Sequence, residues 1–174
     1  MGEDIPFDKS FDLPPGRVEE VMPGVRRLLV DNPGPFTFKG TPVLFSGDHV
    51  MAWSTPVVAP PDGAMSDYMA SLEKLSRRPE TLYFPGHGGA VRDAPRFVQQ
   101  YIAHRRAREA SILERLAAGE ADIPTLVRSI YLGLDPRLTK AAGLSVLAHL
   151  EDLTARGLVA TEGAPAIDGR FRLQ

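Results

Sequence analysis

The chain has 174 residues, 43% of them hydrophobic and 24% charged, and a formal net charge of -2. That suits one ordinary domain or two small ones of a soluble globular protein, with no global pull toward nucleic acid or acidic membranes. There is no cysteine, which excludes disulfides and thiolate metal sites and suits a cytoplasmic setting.

The opening stretch, MGEDIPFDKSFDLPPG, is acidic and proline-containing, without the basic segment and apolar core of a signal peptide. Pro6 breaks the N-myristoylation pattern, and no apolar run approaches the roughly 18 residues of a membrane span, so no membrane partner is expected. Residues Met1 to Gly16 read as an extended lead-in, because Pro6, Pro14 and Pro15 discourage helix. Pro23-Gly24 is a turn signal, Val25 to Val30 a short strand, and Phe36 to Lys39 alternates as a second strand would. Val43 to Ser46 is a compact apolar strand stopped by Gly47, and the proline-bearing stretch from Trp53 to Gly63 is expected to be loop. Met65, Met69, Leu72 and Leu75 recur at helical spacing, predicting a helix over Ala64 to Arg77. Leu82 to Phe84 is another short strand, and Pro95 to Ala118 a long helix ended by Gly119.

After Gly119 the pattern changes. Asp122 is placed to cap a short helix from Ile123 to Leu132, and Asp135-Pro136 to open a longer one that runs to Arg156 and stops at Gly157. Leu158 to Thr161 and Arg170 to Leu173 read as a hairpin whose tip spans Gly163 to Gly169. Helix, helix, helix, hairpin is the order of a winged helix. The division is drawn inside the long helix near His104, giving one unit over residues 1–102 and a winged-helix-like unit over 103–174.

Two strands end in polar residues flanked by glycine, FSGDH and FPGHGG. Strand ends followed by loops are where α/β folds place ligands, and glycine lets the backbone approach closely. A carboxylate and an imidazole brought together there suit a divalent metal such as zinc, which accepts both donor types. Read from spacing alone, each motif is a weak signal, and Asp48 and His87 are more readily explained as turn residues hydrogen-bonded to backbone. His49 follows Asp48 directly and points to the other side of an extended segment, away from a shared metal. His104 and His149 fall in helical stretches and read as surface or boundary residues. Met51 and Trp53 suit either the lining of a substrate cleft or ordinary core. The basic run HRRAR (His104 to Arg108) is balanced by acids: from Ala103 onward there are ten Lys/Arg against nine Asp/Glu. A nucleic-acid reader shows a clear basic excess, so nucleic acid is not an expected partner and a structural or protein-contact role is favoured.

The stretches VMPGVRRLLVDNPGPFTFKGT, VLFSGDHVMAWSTPVVAPPDGAMSDYMASLEKL, LYFPGHGGAVRD and YIAHRRAREASILERL resemble the metallo-β-lactamase-fold hydrolases, most of all the branch with a C-terminal winged helix; AAGLSVLAHLEDLTARGLV fits that branch too. The resemblance implies an α/β fold: an αββα sandwich, here partial, followed by the winged helix. In that family the aspartate of the SGD stretch bridges two metals and the histidine of PGHG binds one. The resemblance therefore carries metal-ligand roles to Asp48 and His87, with zinc or another divalent metal as cofactor. It also implies hydrolysis of an ester, thioester, amide or phosphodiester by metal-activated water, on a small-molecule or phosphodiester substrate.

The departure is equally specific. The family's His-x-His-x-Asp-His run is missing: the four histidines are His49, His87, His104 and His149, and no two have His-x-His spacing. The resemblance breaks between Thr41 and Val43, where the family has a long stretch carrying most of the ligands. The chain thus reads as a family member with its middle removed, short of the three protein ligands of a catalytic zinc and expected to be impaired or inactive. The alternative is a non-catalytic remnant, or a protein-interaction module built on the winged helix. Loss of the middle should leave apolar strand faces uncovered, an association hazard that a homo-oligomer would answer.

Overall fold

The computed structural model describes residues 17–22, 25–28 and 43–174. The expected lead-in at Met1 to Gly16 and the expected strand at Phe36 to Lys39 lie outside the described residues. The chain divides into two compact units, residues 1–44 and 45–174.

In the first unit, strand β1 (Val18–Met22) pairs antiparallel with β2 (Val25–Leu28). Val18 lies opposite Leu28, and the register shifts between Glu20 and Met22. The sequence pattern predicted β2 but not β1: VEEVM has only three apolar residues and does not alternate strictly, so the partner strand, not local periodicity, defines it.

β3 (Val43–Gly47) neighbours β4 (Leu82–Pro85) in a two-stranded sheet. Between them lies α1 (Met65–Leu75), whose buried Met65, Tyr68 and Leu72 form one face at spacings of three and four. The expected face, through Met69, is rotated slightly toward Tyr68. α2 (Ala94–Ala117) follows β4. Asp93 caps it, accepting from the Arg96 N–H, and Pro95 occupies the first turn where no backbone donor is needed. Val98, Tyr101, Ile102, Arg105, Ile112 and Leu116 make its buried side, so an arginine occupies a core position one turn beyond Tyr101. The expected division between residues 102 and 103 falls within this unbroken helix.

The C-terminal part has a three-stranded sheet, ordered β5 (Ala121–Asp122), β7 (Arg170–Leu173), β6 (Val159–Thr161), packed on α3 (Ile123–Ile130) and α4 (Thr139–Ala155). β5 is only two residues long and carries no periodic signal; its pairing of Ala121 with Phe171 creates it. Asp122 accepts from the Thr125 N–H at 2.8 Å and starts α3. Asp135-Pro136 opens a 3-10 turn over Pro136–Leu138 rather than the helix itself, and α4 begins at Thr139. α4 ends in a Schellman motif: the Gly157 N–H donates to the Thr154 carbonyl and the Leu158 N–H to the Leu153 carbonyl, with Gly157 at a φ of +71°. One continuous core of Ile112, Leu116, Ile123, Leu126, Val146, Leu150, Leu153, Val159 and Phe171 holds this part together.

Phe45, on β3, is largely exposed and stacks on Phe84 of β4 with ring centroids 5.7 Å apart. No helix among the described residues is long and apolar enough to cross a membrane.

Candidate metal centre

Asp48 immediately follows β3 and His87 lies two residues beyond β4, so neighbouring strands deliver both from their C-terminal ends. The Gly86 N–H donates to the Gly47 carbonyl at 2.8 Å, tying the two turns together. Gly86 leaves room for the carboxylate in its present position: a Cβ there would lie 2.6 Å from Asp48 Oδ1, so the carboxylate would have to turn away. The outcome is His87 Nε2 at 3.6 Å from Asp48 Oδ1, with the two side chains 60% and 68% exposed. At that exposure an ion pair between them is screened and contributes little to stability.

The loop after β3 has no regular structure, and its shape is set by side chains from the helices. Tyr68 on α1 donates to the His49 carbonyl at 3.0 Å. Tyr101 on α2 donates to the carbonyls of Met51 and Ser54 at 2.6 and 2.7 Å, and Arg105 donates to the Pro56 carbonyl at 2.5 Å. Ser46 donates to the Val50 carbonyl at 2.8 Å. These anchors were not visible in the sequence. A hydroxyl serving a carbonyl about fifty residues away leaves no local pattern; the only trace is a tyrosine and an arginine inside an otherwise apolar helix face. Burial raises the Tyr68 hydroxyl to about 12, partly offset by Arg105, so it stays a neutral donor throughout the physiological range.

His49 turns inward, as expected from its place after Asp48. Its ring meets that of Tyr68 edge-on at 4.9 Å, and burial lowers its pKa. Trp53 is exposed, with its ring centroid 6.5 Å from that of His87, so the core alternative for Trp53 does not hold. His149, expected at a surface or boundary, is buried in α4. Asp48 also lines a cavity of about 410 Å³ together with Asp62, Asp67 and Tyr68.

A tetrahedral zinc with bonds of about 2.0–2.2 Å holds neighbouring donor atoms roughly 3.3–3.6 Å apart, so the Asp48–His87 spacing suits two ligands of one ion. A catalytic zinc needs three, and among the described residues no group of three or more His, Asp or Glu side chains is arranged to hold a metal. The donor set therefore fits part of a site and not a resident catalytic metal.

Residues 123–169 match the family model of the β-lactamase-associated winged helix domain. The chain is 32% identical over 118 residues to the β-lactamase-like protein 2 homolog of Drosophila melanogaster, covering 66% of this chain and 39% of that protein. A β-lactamase domain protein from Burkholderia ambifaria superposes with a TM-score of 0.66 at 26% identity, over 76% of this chain and 41% of the other. A metallo-β-lactamase family protein from Thermus thermophilus shares the fold, with a TM-score of 0.65 at 24% identity, over 93% of this chain and 54% of the other. Together these matches support a metallo-β-lactamase-fold family with a C-terminal winged helix. This metallo-β-lactamase-fold chain spans about half or less of the length of these relatives. Its sandwich is accordingly partial, a two-stranded β3–β4 sheet with α1 and α2, and the winged helix follows.

Proposed function

We propose that Asp48 and His87 are the retained part of the family's divalent-metal site, and that this chain binds zinc weakly and does not turn over ester, thioester, amide or phosphodiester substrates by itself. The observation that carries this reading is the 3.6 Å approach of Asp48 and His87 with no third ligand among the described residues. Two exposed donors would leave half of a tetrahedral zinc ion's coordination shell to water, so the ion would exchange freely. What the chain's own residues do at this site is positional: Tyr68, Tyr101 and Arg105 hold the loop, Gly86 admits the carboxylate, and Asp48 borders the adjoining cavity.

Nucleic acid is not proposed as a partner, because several exposed arginines of the winged-helix part are paired with acids. Arg137 is paired with Asp135, Arg156 with Glu109 and Asp152, and Arg170 with Glu120. The test is metal analysis of chelator-treated protein, zinc titration by calorimetry, and a panel of nitrocefin, thioester and phosphodiester substrates with zinc present. Weak zinc binding that disappears in His87→Ala, without turnover, is expected. Tightly held stoichiometric zinc with multiple turnovers lost in His87→Ala would overturn the proposal.

A further inference from the structure

A second cavity, of about 290 Å³, lies between the loop after β3, α2 and the winged-helix part. His104, Arg105 and Arg108 line it, together with the hydroxyl-bearing Thr55, Tyr131 and Ser145; among the described residues no Asp or Glu does. Liquid water occupies about 30 Å³ per molecule, so the space exceeds that of an isolated ion.

The charges around this cavity are unbalanced. Arg105 is only 3% exposed, and among the described residues neither it nor Arg108 has a carboxylate within 4.0 Å. Glu109, the nearest acid on the same helix, is taken by Arg156 at 2.9 Å. The guanidinium groups are steadied by rings and carbonyls instead: Arg105 lies over Tyr68 at 5.1 Å and donates to the Pro56 carbonyl, and Arg108 lies over Tyr131 at 4.4 Å and donates to the Ile130 carbonyl. The Nε atoms of Arg105 and Arg108 and the Nδ1 atom of His104 are shielded from solvent without a hydrogen-bond partner among the described residues. Unmet buried polar groups are costly, and buried cations are ordinarily paired. His104 reports the same positive surroundings: its pKa is lowered first by burial and then by Arg105 and Arg108.

We propose that this cavity binds the phosphate group of a small-molecule ligand. Guanidinium groups match phosphate oxygens in charge and fork geometry, and the wall hydroxyls supply further donors for a tetrahedral group with several acceptor oxygens. The remaining volume takes the uncharged part of the ligand. Pro56 and Val57 line both this cavity and the one beside Asp48, so the two are neighbours along one loop. The proposal does not rest on metal binding at Asp48 and His87.

The test is calorimetric titration of the full chain with inorganic phosphate, a sugar monophosphate, a nucleoside monophosphate and citrate, with sodium chloride at matched ionic strength as control. Saturable binding of the phosphate-bearing ligands, stronger than that of citrate, is expected. Arg108→Gln should weaken it about tenfold or more, the loss of a charge-assisted contact. Because Arg108 also braces Ile130, an exposed wall position provides a second pair of variants: Leu138→Glu should weaken binding by a similar factor, and Leu138→Lys should not. Failure of every phosphate ligand to saturate, an equal response to chloride, citrate binding as tightly as phosphate, or equal loss in both Leu138 variants would overturn the proposal.

Discussion

Acid should destabilise this fold through one histidine. His149 on α4 is 2% exposed, and neither ring nitrogen has a hydrogen-bond partner among the described residues. Burial, then the nearby Arg105, hold its pKa at about 4 against an ordinary 6.5; Glu109 opposes this, while His104 and Arg108 add to it. The native state therefore keeps His149 neutral. Above about pH 6.5 the folded and unfolded states are both neutral there, and the residue contributes no pH dependence. As pH falls from about 6.5 to about 4, the unfolded chain takes up a proton that the native state refuses, and stability is lost at up to about 1.4 kcal/mol per pH unit. The total approaches about 3 kcal/mol, a large share of the roughly 5–15 kcal/mol that holds a typical domain together. Urea denaturation across this window measures it. His149→Leu removes the titrating group and its two unmet ring nitrogens, so it should flatten the profile and leave stability at neutral pH unchanged or higher. His49 and His104 are shifted in the same direction, so the difference between wild type and His149→Leu is the diagnostic quantity. Parallel pH profiles for the two proteins would refute the reasoning.

Gly86→Ala should abolish the proposed weak zinc binding as fully as Asp48→Ala should, because the new Cβ would lie 2.6 Å from Asp48 Oδ1 and turn the carboxylate away from His87. Its melting temperature should barely change, since the displaced atom ends an exposed side chain free to rotate; zinc titration and thermal melting together check this. Gly157→Val should cost about 1–2 kcal/mol in urea denaturation, since its φ of +71° places the new side chain in the left-handed region.

What could be read from the sequence follows from how local each feature is. Asp122, Gly119 and Gly157 mark helix limits because capping and left-handed stops act within one turn, and the structure places helix ends beside all three. The Asp48 and His87 turns were legible for the same reason: a strand, a glycine and a polar residue are contiguous. β1 and β5 were not, because their partner strands define them. The burial of Arg105 and His149 was equally hidden. Both occupy core-facing positions whose polarity contradicts the apolar period, and only the neighbouring loop and helices reveal where they lie.

The anchoring of the loop after β3 has a consequence for re-engineering. Its carbonyls are held by Tyr68, Tyr101 and Arg105, side chains on α1 and α2, not by additional strands. Among the described residues, these anchors of the loop that follows Asp48 all come later in the chain than the loop itself. A histidine-bearing segment inserted between Thr41 and Val43 would have to supply ligands but would not have to rebuild this corner. The loop is a ready-made socket, already oriented for a part made elsewhere.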